Sequence, residues 1–353
     1  MNATELLQGL VKIYSPSQQE RDAVNYLVVQ MSARGFRAFV DDAGNAVGTL
    51  GEGARDIVLL GHIDTFHGYI EPRVEDGKLY GRGAVDAKGC LATFVSACER
   101  VGRRSRDFQR DAHDGVRFVV IGAVEEESAT SKGARFAVTQ YHPAFCVIGE
   151  PSGWDRITLG YKGRVLVEYE YTKPMTHTAS ATKAATEVAV DFWNHVAAFA
   201  AEFNRDKKGI TDRLDPSLRY VHSDDDGFAD RVAMRIGMRV PIGMTIKQVE
   251  QQIAQFVDGA QVSFSSKEEP FRADKNNALV RAFLVAIRGQ GGKPAFTLKT
   301  GTADMNIVGP AWGCPIVAYG PGDSALDHTP NEHLDLAEYE RAIDVLARVL
   351  AAL

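Results

Sequence analysis

The chain has 353 residues, 45% hydrophobic and 24% charged, which describes a folded protein with more core than one ordinary domain holds and excludes a disordered chain. Its formal net charge of −6 argues against a nucleic-acid partner, and without an apolar run of about 18 residues no membrane span is expected. The N-terminus carries Glu5 and lacks the basic and apolar stretches of a secretion signal, and Cys90, Cys98, Cys146 and Cys314 form no CxxC, so reduced thiols and a cytoplasmic location are expected.

In chain order, residues 3–14 and 18–34 carry helical periodicity, with Ser17 placed to cap the second helix. FRAFVDD and NAVGTLG read as strands. DIVLLGHIDT, from Asp56 to Thr65, is an apolar run ending in polar residues, the profile of a buried strand that delivers side chains at its C-terminal edge. CLATFVSACERVGRR (90–104) reads as a helix and RDFQRDAHDG (106–115) as a polar connection. VRFVVIGAVEEE, FCVIGEPS (145–152) and CPIVAYGPGD (314–323) repeat the strand-then-polar pattern, and the last helix covers 336–352. The middle differs. RVLVEYEYT (164–172) and RVAMRIGMRV (231–240) alternate like half-exposed strands, helices cover 181–204 and 245–257, and QVSFSS is a further strand. This β-α-β-β-α-β-like order predicts a small α+β, ferredoxin-like domain at 162–268, inserted into an α/β domain made of 1–161 and 269–353 with its site at the strand tips.

The residues at these strand ends carry the chemistry. His62 and Asp64 in GHIDT lie two apart on an extended segment, so both side chains face one way. A carboxylate beside an imidazole fixes its tautomer and leaves the other nitrogen for a metal. GRGAVDAKG, from Gly81 to Gly89, departs from a dinucleotide fingerprint, because Asp86 stands at the third glycine position and the segment does not link a first strand to its helix. A tight turn that points Asp86 into a cleft ahead of a helix fits better. Glu125, Glu126 and Glu127 follow VRFVVIGAV, a run that by itself suits a helix dipole as well as a site. Glu150 in GEPS adds a carboxylate, and His328 in LDHTPNEH a second imidazole. If the strands are neighbours these ends converge, and clustered carboxylates repel unless protons or cations compensate them. A mixed imidazole–carboxylate shell suits zinc, cobalt or manganese better than magnesium or calcium, and one Asp shared by two ions is the arrangement of two-metal hydrolases.

In that order, GHIDT, GRGAVDAKG, EEE, GEPS and DHTPNEH resemble the co-catalytic zinc aminoacylase/carboxypeptidase family over essentially the whole chain. The resemblance implies a zinc-exopeptidase-like catalytic domain with a mixed sheet flanked by helices, a lid or dimerisation domain, and two divalent ions per subunit, zinc or else cobalt. It implies that His62 and Glu150 complete one metal, that Glu126 and His328 complete the other, that Asp86 bridges them and that Asp64 orients His62. Glu125 would be the general base, with Val124 where the family usually shows Asp. A register shifted by one would make Glu126 the base and Glu127 the ligand; counting from the strand favours the first. GAVEEESATSKGAR, GEPSGWDRITLGYKGR, LKTGTADMN and YGPGDSALDHTPNEH are most similar to the amino-group-carrier hydrolases of lysine biosynthesis. That likeness implies an amide hydrolase releasing lysine or ornithine from the C-terminal glutamate of the small acidic carrier protein LysW. The alternatives are a deacetylase of acetylornithine or acetyl-lysine, a peptidase, or a catalytically dead metal-stabilised binding protein.

His177 in PMTHTAS falls where a lid histidine of the family reaches the partner subunit's site, so a homodimer is implied. TGTADMN (300–306) offers Gly301 and Thr302 to a substrate carboxylate, with an ordinary glycine turn as the equal reading. Lys162, Arg164 and Arg272 are further candidates for substrate carboxylates. Arg205, Lys207, Lys208 and Arg213 are candidates for the acidic carrier, although such charges taken singly are usually a solvated face.

Overall fold

A computed structural model describes residues 2–107, 115–177 and 179–353, so most of the expected polar connection at 106–115 lies outside the described residues. The chain divides into two compact units: Met1–Gly160 with Ala273–Thr297 and Ala303–Leu353, and Tyr161–Arg272 with Leu298–Thr302. The sequence places the inserted segment at 162–268; the second unit also takes in the short return at 298–302, which carries no composition change to mark it.

Unit 1 contains α1 (Ala3–Lys12), α2 (Arg21–Ala33), β1 (Arg37–Val40), β2 (Ala46–Leu50), β3 (Arg55–His62), β4 (Arg73–Glu75), β5 (Lys78–Tyr80), α3 (Lys88–Asp107), β6 (Val116–Ala123), α4 (Lys132–Gln140), β7 (Phe145–Gly149) and β8 (Arg156–Tyr161). Unit 2 contains β9 (Gly163–Pro174), α5 (Ala185–Asn204), β10 (Asp215–Asp225), β11 (Ala229–Val240), α6 (Ile246–Ile253), β12 (Gln261–Glu268) and β13 (Phe271–Arg272). Unit 1 then resumes with α7 (Ala278–Gly289), β14 (Ala295–Lys299, whose last two residues count with unit 2), α8 (Met305–Trp312), β15 (Ile316–Ala318), β16 (His333–Asp335) and α9 (Leu336–Leu350).

The strands that end in chemistry are neighbours. β3 lies between β6 and β7 and runs parallel to both, and β15 runs parallel to β7. β2 and then β1 add antiparallel beyond β6, and β8 adds antiparallel beyond β15, giving the mixed order β1-β2-β6-β3-β7-β15-β8. The centre of the sheet is dictated by composition: Ile57 to Leu60 and Val119 to Ile121 are fully buried, which parallel strands covered on both faces require. Helix α3 packs on β3, β6 and β7 and against α9. It comes close because Gly61 stands in register with Gly122 on one side and Gly149 on the other. A Cβ on Gly149 would meet both Gly61 Cα and the Phe94 ring at 2.9 Å. This bare strip lies one residue short of His62 and Glu150, so the start of α3, just after Asp86, is drawn to the same strand ends.

Unit 2 is a four-stranded antiparallel sheet in the order β10-β11-β9-β12. With α5 and α6 it has the expected β-α-β-β-α-β order, and it closes a core of its own around Val167, Phe192, Val196, Ile236 and Val249. β10 lacks the alternation that marks β9 and β11: it is an edge strand whose side chains are exposed on both faces from Ser217 to Asp225. Helix α2 begins at Arg21 without a side-chain cap, so Ser17 does not have the capping role its position suggests; its hydroxyl goes elsewhere. All four cysteines are free thiols. Among the described residues no helix is long and apolar enough to cross a membrane.

Candidate metal centre

His62 is the last residue of β3 and is 1% exposed. Beyond it the chain stays extended, held by Ile63 N–H to the Ala123 carbonyl and Thr65 N–H to the Ser15 carbonyl. His62 Nδ1 lies 2.9 Å from the Asp64 carbonyl and 3.4 Å from Asp64 Oδ1. Two oxygens facing one ring nitrogen require it to carry a proton, so Nε2 is the nitrogen that can give up its proton and offer a lone pair to a metal. Nε2 faces Asp86 Oδ1 at 3.2 Å. Asp64, fully buried, also accepts the Ser17 hydroxyl at 2.7 Å and the backbone N–H groups of Glu126 (3.1 Å) and Glu127 (2.9 Å). It therefore fixes the imidazole and the acidic turn together.

Asp86 ends the turn before α3, and its two carboxylate oxygens face different imidazoles: Oδ1 faces His62 Nε2, and Oδ2 lies 3.0 Å from His328 Nε2. Among the described residues, ligand atoms gather within 4.8 Å in two groups that share this aspartate: His62, Asp86 and Glu150, and Asp86, Glu127 and His328. His328 Nε2 lies 2.9 Å from Glu127 Oε1. Its ring stacks on Phe66, centroids 4.2 Å apart and planes within 7°, which holds a side chain that is otherwise 42% exposed.

The acidic run is registered one residue later than strand counting suggests: the structure brings Glu127, and not Glu126, to Asp86 and His328. The reason is local. Strand alternation stops at Ala123, where Asn45 Oδ1 takes the Val124 N–H at 3.0 Å while Asn45 Nδ2 holds the Gly133 carbonyl. Glu125 then adopts a left-handed φ of 61°, its N–H accepted by Glu20, and its carboxylate turns to the Thr130 hydroxyl at 2.5 Å. Once one residue leaves the β region, the period of two no longer predicts which way the next side chains point. Glu125 thereby commits its carboxylate to Thr130, and Glu126 lies within electrostatic reach of His62, Glu150 and Glu127.

The electrostatics follow from crowding. Burial pushes the Glu126 carboxyl well above the ordinary range; nearby His62 opposes the rise, and Glu150, Asp304 and Glu127 add to it. Burial also raises Glu127. His328 is pushed up to about 10 by Asp86 and Glu127. Burial disfavours charge on His62, but Asp64 and Asp86 outweigh it and raise its pKa well above the ordinary value. Protonated imidazoles are how these groups alone balance their carboxylates, and cations of higher charge would displace those protons.

The remaining candidates scatter. The buried ammonium of Lys162 is held inside unit 2 by Asp215 Oδ2 at 2.5 Å and the Ile210 carbonyl at 3.0 Å. Thr302 Oγ1 accepts Arg239 at 3.2 Å, Gly301 has open space where a side chain would be, and Arg272 is exposed at the end of unit 2. His177 is exposed in unit 2 after β9, its Nδ1 accepting the Ala179 N–H. Arg205, Lys207, Lys208 and Arg213 are exposed there too. Sequence reasoning passed over Asn45, Phe66 and Asp304, and gave Ser17 a helix cap where its hydroxyl serves Asp64. Asp304, 2% exposed and within electrostatic reach of Glu126, belongs to the same TGTADMN segment as Gly301 and Thr302; an aspartate beside glycine and hydroxyl residues reads as turn chemistry.

Strands delivering imidazole and carboxylate ligands to one aspartate define a class of mixed-sheet metallohydrolase folds, and the chain belongs to peptidase family M20/M25/M40, whose model matches residues 58–352. More particularly, it is 46% identical to a LysW-lysine hydrolase of Deinococcus radiodurans, over 99% of this chain and 97% of that one. An M20 family metallo-carboxypeptidase from Sulfolobus solfataricus shares the fold with a TM-score of 0.80 at 16% identity, covering 100% of this chain and 99% of that one. A Bacillus subtilis member described as a dinuclear metal binding peptidase matches with a TM-score of 0.72 at 14% identity, covering 99% and 96%.

Proposed function

We propose that the chain is a dinuclear metal-dependent amide hydrolase that releases lysine from the γ-carboxyl of the C-terminal glutamate of the carrier protein LysW, in lysine biosynthesis. The observation that carries the metal reading is the split of Asp86, one oxygen to each imidazole, at the junction of the two ligand groups. The donor set fits: imidazole Nε2 atoms and carboxylates, with His62 Nδ1 already engaged, suit zinc first and cobalt second. His62 and Glu150 would hold one ion, Glu127 and His328 the other, with Asp86 shared. The 46% identity to a LysW-lysine hydrolase over nearly the full length supports the carrier substrate.

Two such ions would polarise the amide carbonyl and acidify a water. The protein's own part is proton traffic and positioning. Glu126, within electrostatic reach of His62 and Glu150 of one group and Glu127 of the other, accepts the proton of the attacking water and delivers it to the leaving amine. Asp64 keeps His62 in the tautomer that presents Nε2. His177 contributes to the site of a partner subunit, and the long unpaired edge of β10, with Leu218, Tyr220 and Val221 exposed, supports assembly into a homodimer. Exposed cations of unit 2 suit an acidic carrier.

One experiment separates the substrates. A single zinc-loaded preparation is assayed on carrier-γ-lysine, carrier-γ-ornithine, acetyl-lysine and acetylornithine. The carrier-linked lysine is expected to be cleaved fastest; faster cleavage of the free acetyl compounds would remove the carrier from this reading.

A further inference from the structure

Glu332 lies four residues beyond His328, in the same DHTPNEH segment, and is 0% exposed. A carboxylate in that setting is stable only with strong partners. Its Oε1 accepts two successive backbone N–H groups, Val85 at 3.0 Å and Asp86 at 3.1 Å. Its Oε2 accepts Arg82 Nη1 at 2.8 Å. Arg82 is itself 7% exposed and directs Nε to the Gly68 carbonyl at 3.0 Å. The main chain repeats the link: Gly81 N–H donates to the Glu332 carbonyl, and β16, which starts at the next residue, pairs with β5. The turn that carries Asp86 is thus fastened to the loop that carries His328 by one buried side chain.

The consequence is geometric. Asp86 has to present Oδ1 to one imidazole and Oδ2 to the other at 3.2 and 3.0 Å. Where its carboxylate stands depends on the orientation of its own backbone, and Glu332 grips that backbone directly. Metal shells tolerate ligand displacements of only about 0.2 Å. We propose that Glu332 is a positioning residue: by holding the Val85 and Asp86 N–H groups it places Asp86 midway between the imidazoles and so sets the affinity for the second cation. This rests on the dinuclear reading above. The carboxylate is required because both oxygens are taken, one by the N–H pair and one by the guanidinium; an amide would turn an NH2 group towards one set of donors.

Three variants test this with zinc by chelator competition and with cobalt by its visible absorption, each below its own unfolding temperature. Glu332→Ala and Glu332→Gln are expected to weaken the second cation by about 10–100-fold. The double variant Arg82→Met with Glu332→Gln removes the opposing donor and lets the amide oxygen return to the N–H pair, so its affinity is expected to recover towards wild type. Leu346→Ala, a core truncation in α9, serves as a stability control that should lower Tm and leave both affinities unchanged. Wild-type affinity for two ions in Glu332→Ala would overturn the proposal. Should that variant not fold, equal affinities in Glu332→Gln and the double variant would overturn it, as would equal weakening in Leu346→Ala. Wild-type protein that binds fewer than two ions would overturn the dinuclear reading and this proposal with it.

Discussion

Glu125 and Glu127 send their carboxylates to different partners, Thr130 and His328, because Asn45, Glu20 and Asp64 each claim different backbone N–H groups of the turn. Their substitutions are therefore expected to behave differently, although the chemistry removed is the same. Glu126→Gln should keep its metal content and lose turnover by roughly 10²–10⁴-fold. Glu127→Gln should lose metal first, seen as a lower zinc stoichiometry after desalting. Glu125→Gln should keep most of its turnover, and a collapse of turnover there with metal retained would return the base role to Glu125. Asn45→Ala strips a buried acceptor from Val124 N–H and a donor from the Gly133 carbonyl, at a cost of about 1–3 kcal/mol in a denaturant titration. At this scale the sequence is legible for side chains that finish apolar runs, such as His62 and Glu150. It is not legible for Asn45 or Glu332, whose partners lie 79 and 246 residues away and leave no local pattern. Lys162 is not legible for another reason: a cation beside a site motif has the same spelling whether it faces substrate or the half-exposed Asp215.

The elements are legible to the degree that burial is one-sided or complete. β3, β6 and β7 announce themselves as continuous apolar runs, and β9 and β11 as alternating ones. β10 does neither, because an edge strand exposed on both faces has no side that must be apolar. The glycine strip was present in the sequence as the G of GHIDT, IGAV and GEPS, but only strand register shows that the three residues touch one helix. Gly149→Ala tests that contact. The added methyl meets Gly61 and Phe94, so α3 must lift or β7 must shift, with an expected loss of about 1–3 kcal/mol. Because Glu150 is the next residue, zinc affinity should fall in the same variant, measured by chelator competition. An unchanged melting curve would show that the helix does not sit as close as the strip requires.

For the whole molecule, every candidate ligand lies in unit 1, while unit 2 has a core of its own. Cation binding should therefore stabilise unit 1 by about 2.7 kcal/mol at a hundredfold excess over Kd, and chelation should lower the unit 1 transition in calorimetry without moving that of unit 2. Ile236→Ala, in the unit 2 core, should do the reverse, with a loss of about 2–5 kcal/mol and unaltered zinc affinity. The homodimer reading makes its own demand. Inactive His177→Ala and Glu126→Gln proteins, mixed under conditions that exchange subunits, should regain activity; no recovery after demonstrated exchange would confine the site to one chain.

The contact between Asp86 and Glu332 spans 246 positions, and all of unit 2, its short return at 298–302 included, lies between Glu150 and β15 in the sequence. A ribosome making this chain at about 5–20 residues per second needs on the order of ten to thirty seconds to pass from Glu150 to His328. During that interval β3, β6 and β7 can already pair, and their carboxylates wait with one imidazole, His62, to answer them. The inserted unit, with a core of its own, is fully synthesised before β15 and His328 emerge. The order of translation therefore makes completion of the ligand set a terminal event, and a nascent chain halted before β15 carries a folded unit 2 and an acid-rich ligand set that still lacks His328.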